Sequence, residues 1–348
     1  MLLRNSHKNA TILDTINNAR FTDLSSVGFI QRRRDGVKTY IIDLHIHSTN
    51  SDGTYSTQEI IEQLHYKGAN LISFTDHDSV GCYRDIVERR AVLYDDMILL
   101  PGVELSCRYN GELRDVLGYG ISVSYIDVAL NNRYSLENRI HKQENILSEL
   151  KEICRRHELV FDEGISIKEG KKAEGFVVMY NELNLHPQNL EKYPFIANNT
   201  RFYWDYFSNR NSDFYVDETF DLFSFKEAVQ LIHNAGGKAF LAHPFAYGMS
   251  QSEVDDMVHE AVEAGIDGIE LKHSSNKGND VENVSRYAQA YGLLCSGGTD
   301  FHGKTKPGLE LVNAYGNVDV GIDDVGDWIF NEQLFGSEGY ADFSELWA

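Results

Sequence analysis

Chemistry concentrates first in the run Asp43-Leu44-His45-Ile46-His47, which leads into Ser48-Thr49-Asn50-Ser51-Asp52-Gly53. Side chains two apart on a strand share a face, so His45 and His47 project together while Leu44 and Ile46 point the other way. Two imidazoles aimed at one point make a start for a divalent metal site, although backbone or water could equally satisfy an isolated pair. Four further clusters change that balance. Thr75-Asp76-His77-Asp78 follows NLISF, Gly102-Val103-Glu104 ends ILLPGVE, His243 ends KAFLAHP, and Asp300-Phe301-His302 follows LLCSGGT with the same i, i+2 spacing.

The elements that must carry these groups are legible around them. YIIDLHI, NLISFT, 98–105 and 116–121 read as strands. Ser56 to Tyr66 reads as a helix, with Ser56 and Glu59 in capping-box spacing, Ile60, Ile61 and Leu64 on one face, and Gly68 near its end. Ser224 and Glu227 open a second in the same spacing, which runs to Asn234 and stops at Gly236-Gly237 before KAFLAH. Helices from about Ser252 to Ala264 and from about Val281 to Tyr291 lead to the strands GIEL and LLCSGG. Such alternation is the signature of β/α units around a parallel sheet. In parallel β/α barrels the C-terminal strand ends form one rim where functional groups gather, and five strand ends supplying His, Asp or Glu to one rim are improbable as background.

Length and composition bound the remaining choices. The chain has 348 residues, 42% of them hydrophobic and 24% charged, with only 5 Pro, which suits a large α/β unit or one domain carrying a smaller piece. No run approaches the ~18 uninterrupted apolar residues of a membrane span, and MLLRNSHKNATILD lacks the apolar core of a signal peptide, so a cytoplasmic protein is expected. Its 53 acidic residues against 32 basic ones repel long polyanions, because duplex nucleic acid is held largely by Lys and Arg. A small anionic substrate needs a local positive centre, which metal ions would supply. Cys82, Cys107, Cys154 and Cys295 are widely spaced and read as reduced, mostly core thiols.

Residues 1–38 form a polar preface, and 39–126 with 216–318 carry the β/α pattern. Between them, 127–215 reads as an inserted cap or lid whose long helix repeats Ile140, Leu147, Leu150 and Cys154 on one side. The tail 319–348 is acidic with aromatic punctuation (Trp328, Phe330, Phe335, Tyr340, Phe343 and Trp347), and is expected to pack as a strap.

DLHIHSTNSDG, FTDHD, PGVELS, LAHP and GGTDFHG, in this order, resemble the motifs of the PHP (polymerase and histidinol phosphatase) superfamily of metal-dependent phosphoesterases. The resemblance covers 40–121 and 220–310, and the insertion ahead of LAHP and the GIEL strand are most like the branch that hydrolyses nucleotide-type phosphates. It implies an α/β fold, a distorted (β/α)7 TIM-like barrel with an inserted smaller domain, and two to three divalent ions (Mn, Zn, Fe or Mg) at its mouth. Carried onto this chain, it implies one ion on His45, His47, Glu104 and Asp300; a second on Glu104, Asp115 and His243; and a third on Asp52, His77 and His302. Asp115 departs from the family, which commonly has His there. Aspartate adds negative charge and a harder oxygen donor, favouring Mn or Mg over Zn; the alternative is a weak or absent second ion.

Groups on the substrate side are less constrained. Arg201 lies where related chains often place an arginine that reaches the phosphate, and reads equally as a solvated surface residue. His273, two residues after GIEL, could bind phosphate or protonate a leaving group, or be a rim residue without a role. Asp43, Asp76 and Asp78 flank the ligands and are expected to orient their imidazoles. Lys168, Lys171 and Lys172 read as a solvated charge run, and the aromatics around Phe202, Tyr203, Trp204, Tyr206 and Phe207 as the core of the insertion. The expected function is hydrolysis of a small phosphomonoester, a nucleotide or an oligonucleotide end, by metal-activated water. The alternatives are a histidinol-phosphatase-like activity and a non-catalytic module stabilised by metal. The expected partner is a small phosphorylated substrate, with neither duplex nucleic acid nor membrane; the oligomeric state is not fixed by the sequence.

Overall fold

The computed structural model describes residues 40–330, so the preface and the tail positions Phe335, Tyr340, Phe343 and Trp347 lie outside the described residues. Two compact units divide the described residues: one takes in 40–107, Arg114–Asp127 and 224–330, the other Arg108–Leu113 and Val128–Phe223.

The first unit carries the β/α pattern. Strands β1 (Ile42–Asp43), β2 (Leu71–Ile72) and β3 (Ile98–Leu99) form one sheet, with β1–β2 and β2–β3 parallel. Strands β4 (Gly102–Tyr109), β5 (Glu112–Tyr119), β6 (Lys238–Leu241), β7 (Gly268–His273) and β8 (Leu294–Gly298) form a second sheet in that order. Pro101 lies between β3 and β4 and cannot donate to a ladder, which splits the single strand expected over 98–105. Two helices between strands begin at the caps read from the sequence, and the one expected from about Ser252 begins at Gln251. Ser56 with Glu59, Ser224 with Glu227 and Ser250 with Glu253 each form a complete capping box at the starts of Thr57–Tyr66, Phe225–Asn234 and Gln251–Ala264. The apolar faces of these helices bury Ile60, Ile61, Leu64, Val229, Ile232 and Val258.

The expected (β/α)7 barrel is not what these strands form. The fold is α/β with open sheets, one mixed, and among the described residues neither closes into a barrel. β5 runs antiparallel to β6, while β6–β7 and β7–β8 are parallel. Where a closed barrel would continue its ladders there are isolated bridges, Ile46 to Phe301 and His77 to Glu104. The physical reason lies in the strand ends. Asp78, His243 and Asp300 turn into left-handed backbone (φ 46°, 22° and 55°), which takes the chain out of ladder geometry.

The second unit has its own apolar core. The helix Leu136–Arg156 contributes Ile146, Leu147, Leu150, Ile153 and Cys154, packed with Phe176, Met179, Phe202, Phe207 and Phe214. Tyr203 and Tyr206 lean against this core, in keeping with the core reading of the aromatic run, while Trp204 is exposed. Lys168, Lys171 and Lys172 are exposed. In the first unit, Trp328 of the tail donates from Nε1 to the Cys295 carbonyl (2.9 Å) and packs on Tyr119 and Phe240. All four cysteines are free, three of them buried.

Candidate metal centre

His45 and His47 lie just past β1, where the chain runs extended beside the segment after β8. His47 N–H donates to the Phe301 carbonyl (2.9 Å), and Asp300 N–H to the His45 carbonyl (2.8 Å). This approach is close: a Cβ on Gly298 would lie 2.3 Å from the His45 nitrogen, so GGTDFH requires glycine there. Leu44 and Ile46 are buried on the opposite side, as the alternation predicts. Both imidazoles are themselves fully buried.

Their Nε2 atoms are 3.1 Å apart, and each lies 3.1 Å from Glu104 Oε2. Asp300 Oδ1 is 3.2 Å from His47 Nε2 and 3.6 Å from His45 Nε2. Ligands at roughly 2.1 Å from one ion, at angles between octahedral and tetrahedral, stand about 3.0–3.4 Å from each other. The spacing therefore fits donors converging on a cation. Glu104 spans two positions, because its other oxygen, Oε1, is 2.9 Å from His243 Nε2.

The remaining ligand candidates surround this core. His47, Asp52, His77 and His302 form a second group, with Asp52 Oδ1 3.2 Å from His302 Nε2. His77, Glu104 and Asp115 form a third, and His45, Glu270 and His273 a fourth. Among the buried polar atoms, His47 Nδ1, His77 Nδ1, Asp115 Oδ1 and His243 Nδ1 lack a hydrogen-bond partner. Unpaired buried donors and acceptors are costly, and nitrogen and carboxylate atoms gathered this way fit one or more divalent ions.

Charge is balanced unevenly across the cluster. Burial opposes charge on His47, yet its hydrogen bonds to Asp300 and Glu104 and their negative charge hold its pKa up at about 9. His45 is likewise raised against burial, by Glu104, Glu270 and Asp300. Burial resists ionisation of Glu104 and Asp300 too, but His45 and its neighbours pull both well below the ordinary range. Asp115 goes the other way: burial, then the Glu104 charge, push it up to about 7. Burial lowers His77 to about 4.

The structure thus brings together all nine residues singled out as ligands, and His273 with them. His273 Nε2 is 3.1 Å from Asp300 Oδ2, and its Nδ1 is 2.7 Å from Ser275 Oγ. Arg201 belongs to the second unit, where it is exposed with Nε 3.5 Å from Asp205. Asp43 accepts from the amides of Thr299 and Val312 and the Thr299 hydroxyl, and Asp76 from the Ser48 amide and the Ser48 and Ser51 hydroxyls. These two carboxylates fix loop backbone. The ring-orienting contact on His45 comes from Glu270, which the sequence reading passed over: Oε1 is 2.9 Å from His45 Nδ1, and Oε2 accepts from the His243 amide (2.8 Å). The available signal was a single carboxylate inside the apolar strand GIEL. Lys306, paired with Asp300, and Tyr247 were also missed.

No family model matches the chain. It is 28% identical over 270 residues to the phosphoribosyl 1,2-cyclic phosphate 1,2-diphosphodiesterase of Eggerthella lenta, covering 76% of this chain and 95% of that one. It is 24% identical over 281 residues to the 3′,5′-nucleoside bisphosphate phosphatase of Chromobacterium violaceum, covering 78% of this chain and 90% of that one. A solved structure of a candidate metal-dependent phosphoesterase from Bifidobacterium adolescentis aligns with TM-score 0.50 and 21% identity, covering 83% of this chain and 98% of the other. The chain shares the fold of that solved structure, and its clustered imidazoles and carboxylates are suited to one or more divalent ions. With its clustered ligands and these relatives, it is a metal-dependent hydrolase of a phosphate ester group. Among the described residues no helix is long and apolar enough to cross a membrane.

Proposed function

We propose that the chain hydrolyses a phosphomonoester on a small nucleotide-type molecule or an oligonucleotide end. The observation that carries this reading is Glu104, whose two oxygens face separate imidazole sets, His45 with His47 and His243. A bridging carboxylate of this kind suits two ions side by side, and Asp52, His77 and His302 provide for a third. Divalent ions bound there supply Lewis acidity, lowering the pKa of water and neutralising phosphate oxygens.

The chain's own residues do the rest. Glu270 holds the His45 ring by Nδ1, leaving Nε2 to face the centre. His273 Nε2 lies 3.1 Å from Asp300 Oδ2 without completing a hydrogen bond, while Ser275 occupies its other nitrogen, so Nε2 is left facing the centre beside Asp300. Asp52, Glu104, Asp115 and Asp300 are four carboxylates against as many as six charges on three divalent ions, so a loaded centre attracts an anion despite the net charge of −21. That exterior disfavours long polyanions and favours a small substrate. The names of the two relatives above both contain a phosphorylated pentose, which supports the nucleotide-type choice.

The test is metal analysis of the purified protein followed by phosphate release with Mn²⁺ over nucleoside mono- and bisphosphates, sugar phosphates and histidinol phosphate. Metal-dependent release greatest from the nucleotides is expected. Preference for histidinol phosphate would replace the substrate assignment, and bound metal without release from any ester would leave only a metal-stabilised module.

A further inference from the structure

Asp115 has two carboxylate oxygens, and the structure treats them differently. Oδ2 accepts from the Tyr247 hydroxyl at 2.9 Å. Oδ1 is buried without a hydrogen-bond partner, 3.9 Å from His77 Nδ1 on the side of Glu104. The backbone explains how Tyr247 reaches it. β5 and β6 pair Val116 with Leu241, and the Asp115 carbonyl accepts from the Ala242 amide (3.2 Å), so Asp115 stands at the point where β6 ends. The chain then turns at His243, Ala246 N–H closes the turn on the His243 carbonyl (2.9 Å), and Tyr247 returns over Asp115.

The ring is held on two sides. The Arg114 guanidinium carbon lies 4.2 Å from its centroid, and the His243 ring meets it edge to face at 5.3 Å. Tyr247 is therefore fixed between the residue preceding one proposed ligand and another proposed ligand, with its hydroxyl on a third side against Asp115. A free carboxylate can rotate either oxygen away from a cation, whereas one oxygen tied to a fixed hydroxyl leaves the other with a single direction.

We infer that Tyr247 is a positioning residue that makes Asp115 a directional metal ligand, engaging Oδ2 so that Oδ1 faces the position shared with His77 and Glu104. The inference rests on the reading of Asp115 as a ligand. Tyr247→Phe removes one oxygen and keeps the ring between Arg114 and His243, so it tests the hydroxyl alone.

The experiment compares the full-length protein with Tyr247→Phe, Asp115→Asn, Asp115→His and the double variant Tyr247→Phe/Asp115→His. Mn²⁺ affinity is read by titration calorimetry, bound metal by elemental analysis, and folding by melting temperature. The hydroxyl's loss should weaken the most weakly held Mn²⁺ about tenfold or more, the scale for losing a partner that orients a metal ligand. In the Asp115→His background the same change should alter affinity by less than about twofold, because an imidazole presents its nitrogen from a stiff ring without this hydroxyl. Equal loss in both backgrounds would overturn the inference, since Tyr247 would then act on the fold and not through Asp115. Unchanged affinity in Tyr247→Phe, with metal lost in Asp115→Asn, would sink the positioning role and leave the ligand reading intact. Full metal retention by Asp115→Asn would sink both.

Discussion

The two sides of the metal centre are built on opposite principles. Around His45, His47, Glu104 and Asp300, buried imidazoles and buried carboxylates face one another, and each raises or lowers the other toward its charged form. Around Asp115 and His77 the shifts run toward neutrality, with Asp115 up at about 7 and His77 down at about 4. The first side holds its charges together with protons when no cation is there. The second has a surplus carboxylate whose ionisation burial and Glu104 both oppose, so a cation there competes with a proton on Asp115 near neutral pH. The lesson is that ligands converging in one pocket need not bind alike.

The largest way to break the comparison is to remove what both sides share. Glu104→Gln keeps the shape but takes the charge from the bridge, so phosphate release should fall about a thousandfold or more and bound metal should drop on both sides. Wild-type turnover of an aryl phosphate with Mn²⁺ would refute that role. Glu270→Gln strikes one side directly. It weakens the hold on His45 Nδ1, while the remaining amide oxygen can still accept from the His243 amide, so the metal on the His45 side should weaken by about 10- to 100-fold in a titration and the Asp115 side by less. A uniform loss of every ion would show instead that the two sides are one cooperative unit.

How much of this was legible in the sequence follows from the range over which each force acts. Capping boxes such as Ser224 with Glu227 are local, and the helices begin where those residues put them. The i, i+2 spacing of His45 with His47 and of Asp300 with His302 is also local, and it singled out residues that the fold brings into one cluster. Sheet closure is not local. It depends on ladders between strands far apart in sequence, and the left-handed turns at Asp78, His243 and Asp300 that interrupt them are signalled only weakly, because Asp and His are enriched at positive φ yet far more often adopt ordinary backbone. Glu270 and Tyr247 were passed over for a related reason: each acts on a ligand supplied by another strand, 225 residues from His45 in one case and 132 from Asp115 in the other.

Proton competition sharpens the contrast between the sides. Both His47 (from 6.5 to about 9) and Asp115 (from 3.8 to about 7) have pKa values raised by folding, while His77 (from 6.5 to about 4) opposes them below pH 6.5, so above that pH the metal-free fold binds more protons at these groups than the unfolded chain. The stabilisation linked to Asp115 is complete below about pH 3.8 and lost as pH rises through about 7; that linked to His47 is complete below 6.5 and lost through about 9. Glu104 and Asp300, lowered, have the opposite sign: their contribution is present above the ordinary carboxylate range and lost in stronger acid. Metal-stripped protein should therefore melt several degrees higher near pH 5 than near pH 9, and saturating Mn²⁺ should narrow the gap. Asp115→Asn should flatten only the stretch between pH 4 and 7. A stripped protein that grows more stable from pH 5 to 9 would contradict these signs.

The smallest expected effect is on metal choice. Asp115 brings a hard, anionic oxygen to a position where an imidazole would bring a softer neutral nitrogen. Asp115→His should shift retention toward Zn over Mn by a few-fold, read as the metal ratio after dialysis from an equimolar mixture. The shift should be confined to the side containing His77 and His243, because the donors on the His45 side are unchanged. An unchanged ratio would mean that geometry imposed by Glu104 and His243, and not the donor atom at position 115, sets the preference.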